Sequence, residues 1–448
     1  MKSTRFAASF PGYSIIILIG SVLLSHCKPE QDKPQEEQVI DERLADVSVM
    51  YREIPNQYVV ILKNEKPVIL DGKQKNPNRV TQAKLNEAKR QNKLDIIDEI
   101  IRRHQLEIPL NHRLADVLVG FKAFLTPAQH SRLKNEGSIE IYPDFEVRLR
   151  NPIQQGEAVV SRNPIQQDYA EMWDFVDTVR RVTCAVANAG GPRVAANAAP
   201  VVWVLDTGVD FNHDDLNVEG DPSLAVSFVP GETMDGNGHG THVAGIIGAL
   251  ENEIGATGVS PGARIVPVKV LRNSGSGSWS YLLLGLEHVA RYNKAGDVVN
   301  LSLGTMEPNL CKNQRPAYKV LEQAINLLAE DTTYIVIASG NESGKARHSL
   351  PACIDQNESD NVFVVAAIDC DSICETYANF DRPPVLWVAN GTNVFSTYPG
   401  NLYAVMSGTS MATAVVSGII HAKGGPPSSG GNISCGPPPR EYKIARIE

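Results

Sequence analysis

The sequence predicts an α/β protein: a doubly wound, mainly parallel sheet in the second half, preceded by a small α+β unit of ferredoxin-like type. Three observations carry this. From about residue 200, continuous apolar runs alternate with helical patterns, as in strands buried on both faces and joined by right-handed helical crossovers. Between residues 57 and 142 the order is strand, helix, two short strands, helix, strand, a compact unit of about 90 residues. The length of 448 residues calls for more than one domain, and 42% hydrophobic with 21% charged residues is ordinary globular usage. Collagen-like, wholly disordered and multi-span membrane classes are excluded. The net charge is −9 and no long basic run appears, so nucleic acid is not an expected partner.

The chain opens with Lys2 and Arg5 ahead of an apolar stretch, 13–24. That length suits a signal-peptide core and falls short of the ~20 residues of a spanning helix. Residues 24–27 (LSHC) partly resemble a bacterial lipobox, from which His26 departs. An acylated Cys27 would attach the protein to a membrane, with residues 28–50 as a polar tether. Residues 1–27 are thus expected to be an export signal, secreting the protein or placing it at the surface.

In the front unit, residues 57–62 (QYVVIL) read as a strand and 81–104 as a helix with Thr81 as cap. Residues 114–125 read as two strands around Gly120. Thr126-Pro127 opens a second helix to residue 135, and 139–142 is a further strand. The unit is bounded at 51–148. A linker, 149–170, follows, in which RNPIQQ occurs at 150–155 and again at 162–167. So short a repeat with proline in each copy suits an exposed segment open to cleavage.

The apolar runs of the larger domain, 171–423, are 201–205, 265–270, 298–303, 334–338 and 362–367. Helical patterns fall at 240–250, 279–294, 318–329 and 410–422. In such sheets ligands bind beyond the carboxyl ends of the strands. Asp206, Ser302 and Asn341 lie at the ends of three runs, and His239 and Ser410 lie where helices begin. Apart from Cys27, six cysteines allow three disulfides in 15 ways. Cys370 and Cys374 are close enough for a local bridge, Cys311 can reach Cys353, and Cys184 with Cys435 remains. No CxxC pair supports zinc.

The segments VLDTGVD, GHGTHVAG, IASGN and SGTSMA resemble, in order, the four signatures of the subtilisin-like serine proteases, a resemblance covering about residues 200–422. It implies the subtilisin-like fold and a serine endopeptidase with protein or peptide substrates. By chemistry, Ser410 is a weak nucleophile until a base takes its proton, and an imidazole suits that task near neutral pH. The resemblance makes His239 the base, Asp206 its orienting carboxylate and Asn341 an oxyanion donor. His242, Asp210, His213 and Ser407 are neighbours without those roles. Ser276, Gly277 and Ser278 on one side, and Ser302, Leu303 and Gly304 on the other, would pair with an extended substrate by main-chain hydrogen bonds. Trp279 is a candidate pocket wall.

The resemblance extends further. The LENEIGATG loop, 250–258, resembles the family's calcium loop, which implicates Asp215, Asn252 and the carbonyls of Leu250, Ile254 and Ala256. Hard oxygen donors suit Ca²⁺ as a structural ion, while the chemistry requires no cofactor. The front unit resembles the family's inhibitory propeptides, an intramolecular inhibitor whose tail fills the groove near residues 145–170, and a monomer is expected. Ala414 stands where the family has proline. The Gly/Pro-rich tail, 424–448, departs most from the family and leaves Ser410's surroundings short of packing segments. It sustains an alternative: a weakly active or inactive subtilase-fold surface protein that binds a partner.

Overall fold

In this computed structural model, residues 52–63, 65, 79–149, 175–177, 181–197, 199–306, 311, 316–330, 332–354 and 359–448 are described. The expected export signal, Cys27, the expected tether and the expected linker, with both RNPIQQ copies, lie outside the described residues, except Leu149 at the linker's start. Among the described residues no helix is long and apolar enough to cross a membrane.

The front unit runs β1 (Glu53–Leu62), α1 (Arg79–Arg103), β2 (Arg113–Leu114), β3 (Gly120–Phe124), α2 (Pro127–Lys134) and β4 (Ile139–Arg148). Its strands lie in the antiparallel order β4-β1-β3-β2. This is the split βαβ arrangement of ferredoxin-like units. The α1 helix starts at Arg79, so Thr81 is not its cap. Thr126 does cap α2: its side chain accepts from the Gln129 N–H while the Gln129 side chain accepts from the Thr126 N–H. Val60, Ile97, Phe121 and Leu133 are fully buried in a core separate from that of the larger domain.

The larger domain begins with β5 (Phe175–Asp177), β6 (Val182–Thr183) and α3 (Cys184–Asn188). Next come β7 (Val202–Asp206), β8 (Val226–Ser227), α4 (His239–Gly248), β9 (Ile265–Lys269), β10 (Ser276–Ser278) and α5 (Trp279–Tyr292). The middle holds β11 (Val298–Leu301), β12 (Thr305–Met306), α6 (Pro316–Glu330), β13 (Tyr334–Ala338), β14 (Ser349–Leu350) and β15 (Val362–Ile368). The last elements are β16 (Trp387–Asn390), β17 (Val394–Tyr398), β18 (Leu402–Met406), α7 (Thr409–Lys423), β19 (Ser428–Cys435) and β20 (Arg440–Arg446). Nine strands form the main sheet in the order β19-β20-β16-β15-β13-β11-β7-β9-β8. Every pairing is parallel except β19 with β20, as the runs of Val, Ile and Leu predict. At the bottom of the sheet, Asp297 accepts hydrogen bonds from the Trp203 indole (2.9 Å) and the Val201 N–H (3.0 Å). That partnership lets a polar atom sit beside a fully buried Trp203.

Two expectations are corrected. The disulfides are Cys184–Cys370, Cys311–Cys353 and Cys374–Cys435, so Cys370 and Cys374 do not bridge each other. Separation along the chain is a poor guide because the fold brings α3 and β19 to the same loop. The tail, expected to leave the surroundings of Ser410 short of packing segments, also adds structure to the main sheet. It makes the β19–β20 hairpin, whose second strand joins β16 in parallel. Its core contact is Tyr442, fully buried beside Phe380 with ring centroids 5.3 Å apart. The Ile447 N–H then donates to the Ala189 carbonyl (2.9 Å). The glycines and prolines mask the strand REYKIAR, in which Tyr442 and Ala445 are buried.

The Cys374–Cys435 bridge anchors this hairpin to the loop before β16. Replacing both cysteines by serine should cost about 2–4 kcal/mol, the usual effect of losing such a link. Urea unfolding checks this; an unchanged midpoint would show that strand pairing alone holds the hairpin.

Candidate active site

Asp206 is the last residue of β7 and His239 the first of α4. Both side chains are fully buried, and His239 Nδ1 lies 2.9 and 3.0 Å from the two Asp206 carboxylate oxygens. The Thr207 N–H donates to the same carboxylate (2.7 Å). This contact selects the tautomer that carries hydrogen on Nδ1 and leaves Nε2 as the acceptor nitrogen. Nε2 has no hydrogen-bond partner among the described residues.

What holds strand end and helix start in register is a residue that motif reading overlooks. The α4 N-cap, Gly238, has φ 104° and no side chain to offer. A Cβ there would collide with the Tyr398 ring. Asp235 supplies the cap instead, accepting from the N–H groups of Asn237 (3.0 Å), Gly238 (2.8 Å) and Thr241 (2.9 Å), and from the Thr241 hydroxyl (2.6 Å). It accepts also from the Thr207 hydroxyl (2.9 Å), whose oxygen takes the Gly240 N–H (3.0 Å). An Asp four residues before the helical His is the only sequence sign of this.

Ser410 is the second residue of α7, and its backbone N–H faces the helix-start region where no intrahelical acceptor exists. Asn341 follows β13 and its side-chain carbonyl accepts from the Thr409 N–H (2.9 Å) and hydroxyl (2.8 Å). That fixes the amide. A Cβ built on Gly408 would lie 3.0 Å from Asn341 Nδ2 and 3.8 Å from Ser410 N. The glycine therefore leaves a small space facing two N–H donors, the arrangement an oxyanion needs. The Ser410 hydroxyl donates to the Ser302 carbonyl (3.3 Å), and the Ser302 hydroxyl donates back to the Ser410 carbonyl (3.0 Å). Beneath, Asn300 donates to Ser302 (2.9 Å) and accepts from Ser417 (2.9 Å), a buried polar chain that sequence reading also missed.

The neighbours take other partners. His242 is wholly buried with Nε2 3.1 Å from the Ala404 carbonyl. Burial, then the nearby His239, lowers its pKa to about 3. His213 bonds the Leu402 carbonyl (3.0 Å) and Asp210 accepts from the Gly400 N–H (2.7 Å). Ser407 contacts Asn393.

Ser276, Gly277 and Ser278 pair antiparallel with Arg148, Val147 and Glu146 of the front unit. On the other side Arg148 exchanges two 3.2 Å bonds with Gly304. Leu303 is fully buried in the core, so only its backbone is available. Trp279 is likewise fully buried, stacked on Phe145 with centroids 5.4 Å apart. Two buried carboxylates add to the contact between front unit and larger domain. Glu287 of α5 accepts from the N–H groups of Ala115, Asp116 and Val117. Burial, then the adjoining Asp116, pushes its carboxyl up to about 8. Asp144 accepts from Gln57 and from the Ser280 N–H and hydroxyl.

In the 250–258 loop, Asp215 accepts from Asn252 Nδ2 (2.8 Å), the Ala256 N–H (3.2 Å) and the Tyr403 hydroxyl (3.2 Å). Burial pushes this carboxyl up to about 7 despite those donors. No cationic side chain reaches it among the described residues, and none of their His, Cys, Asp and Glu side chains group in threes as a metal cluster would. A buried carboxylate without positive charge beside it, in a loop of carbonyls, fits a hard cation.

Residues 197–422 match the subtilase family, Peptidase_S8. M-protease of Shouchella clausii (strain KSM-K16) is 45% identical over 220 residues, 49% of this chain and 52% of that protein. Subtilisin Savinase of Lederbergia lenta is 45% identical over 219 residues, 48% of this chain and 73% of that protein. The aligned part thus spans about half the length of the first relative and nearly three quarters of the second. A cold adapted subtilisin-like serine proteinase of known structure aligns at 27% identity with a TM-score of 0.43, over 53% of this chain and 83% of that one. With its family match and these relatives, the chain belongs to the subtilase family of serine endopeptidases.

Proposed function

We propose that this protein is an exported, self-processing serine endopeptidase that cleaves proteins through an acyl-enzyme on Ser410. The observation that carries the reading is the buried Asp206–His239 pair, whose Nε2 is left as an acceptor with no hydrogen-bond partner among the described residues. For reaction, the Ser410 hydroxyl leaves the Ser302 carbonyl and offers its proton to His239 Nε2. His239 takes its proton as Ser410 Oγ attacks the peptide carbonyl, and Asp206 stabilises the imidazolium so formed. The Asn341 amide and the Ser410 N–H receive the oxyanion. His239 then gives its proton to the leaving amine, and water reverses these roles to release the acyl group. No cofactor is required.

The front unit, 51–148, acts in this reading as an intramolecular inhibitor. It occupies the groove formed by Ser276–Ser278 and Gly304 and is fastened by Glu287 and Asp144, so release must break buried carboxylate contacts and not only main-chain pairs. Export follows from the leading apolar segment, with membrane attachment if Cys27 is acylated. Asp215, Asn252 after a half-turn of its amide, and the carbonyls of Leu250, Ile254 and Ala256 would hold Ca²⁺. The ion would neutralise Asp215 and stiffen the loop that closes α4.

Asn341→Ala should lower kcat by about 10²–10³ with little change in KM, a range that itself comes from a subtilisin. Steady-state hydrolysis of a peptide substrate by the processed protein checks it, and an unchanged kcat would remove Asn341 from the mechanism. Calcium at 1,000 times its Kd should stabilise the wild type by about 4 kcal/mol and raise the Tm. Asp215→Ala should abolish that response; an equal response in the variant would place the ion elsewhere.

A further inference from the structure

The register of β4 in the groove identifies the bond that the site cuts first, and with it the substrate pattern; this rests on the proposed protease reading. Arg148 lies between two antiparallel partners, Ser276 and Gly304. The Leu149 N–H continues the ladder by donating to the Gly275 carbonyl (2.7 Å). In an antiparallel pairing the strand residue two past the one facing Gly304 is the one that Ser302 would face. The Ser302 carbonyl is the group that the Ser410 hydroxyl touches at 3.3 Å. Residue 150 lies outside the described residues, and in sequence it is the second residue after Arg148. We infer that the carbonyl delivered to Ser410 is that of Arg150, and that the first bond cut is Arg150–Asn151.

The side chains ahead of that bond show what the groove reads. Val147 is 3% exposed and belongs to the core of the larger domain, whereas the Arg148 side chain is 62% exposed. Val147 is therefore the buried anchor, three residues before Arg150. The repeat restores the same pattern. Val147-Arg148-Leu149-Arg150 precedes NPIQQ in the first copy, and Val159-Val160-Ser161-Arg162 precedes it in the second. Valine and arginine recur at the two positions that register and burial single out, and the two residues between them differ. The site thus cuts the Arg–Asn bond of Val-x-x-Arg-Asn, at 150–151 and again at 162–163. At each, Ser410 Oγ bonds to the arginine carbonyl carbon and the bond to the asparagine nitrogen breaks. The serine proton passes through His239 to that nitrogen, and water then releases the arginine as a carboxylate.

The test uses the full chain and reads new N-termini by intact mass and N-terminal sequencing, with a serine-directed phosphonate as a separate probe of Ser410. Asn151 and then Asn163 should appear in wild type, neither in Ser410→Ala. Val147→Asp should slow the appearance of Asn151 at least tenfold while phosphonate labelling persists. Ser410-dependent N-termini at other residues overturn the register inference and leave the protease reading standing. Labelling without cleavage at either bond also overturns it. No cleavage and no labelling overturns both.

Discussion

The buried contact between His239 and Asp206 is the constraint on which the arrangement of the larger domain depends. Two side chains removed wholly from water must meet within hydrogen-bond distance from separate elements, and an error of an ångström would leave a buried carboxylate unpaired. The parallel sheet fixes the end of β7, and Asp235 with Thr207 fixes the start of α4 against it. The Ser302, Asn300 and Ser417 chain does the same for α7 from the opposite side. Rigid elements with locked side chains are what a catalytic geometry requires.

The same groove explains why the front unit is built as it is. A sheet edge beside a nucleophile accepts any extended chain, since main-chain bonds carry little side-chain information. The front unit meets that edge with its own strand and adds contacts away from it: Phe145 on Trp279, three N–H groups on Glu287 and the Asp144 cluster. The contact thus has two parts, main-chain pairing at the edge and side-chain packing away from it. The first belongs to residues 146–149, the second to the body of the unit.

Much of this was legible in the sequence. Runs such as 334–338 and 362–367 gave strand positions because fully buried parallel strands are apolar without interruption, and α2 announced itself through Thr126-Pro127. Asp206, His239, Asn341 and Ser410 stood out because they lie at strand ends and helix starts, within four segments that resemble the family's signatures. Asp235, Asn300 and Glu287 did not, since a carboxylate or amide that works by accepting backbone N–H groups has no fixed neighbour in sequence. Two of the disulfides were hidden for the same reason: Cys184 meets Cys370, and Cys374 meets Cys435, only through the tertiary fold. That hairpin also supplies packing near α7 that the Gly/Pro-rich composition concealed.

The central claim is that Ser410 is made nucleophilic by the buried pair. Its most direct test is labelling by a fluorophosphonate, with the adduct located by peptide mapping in wild type and in His239→Ala. A single adduct on Ser410, formed in wild type and slowed by orders of magnitude in the variant, is the expected result. An adduct on another serine, or equal labelling with and without His239, would contradict the account.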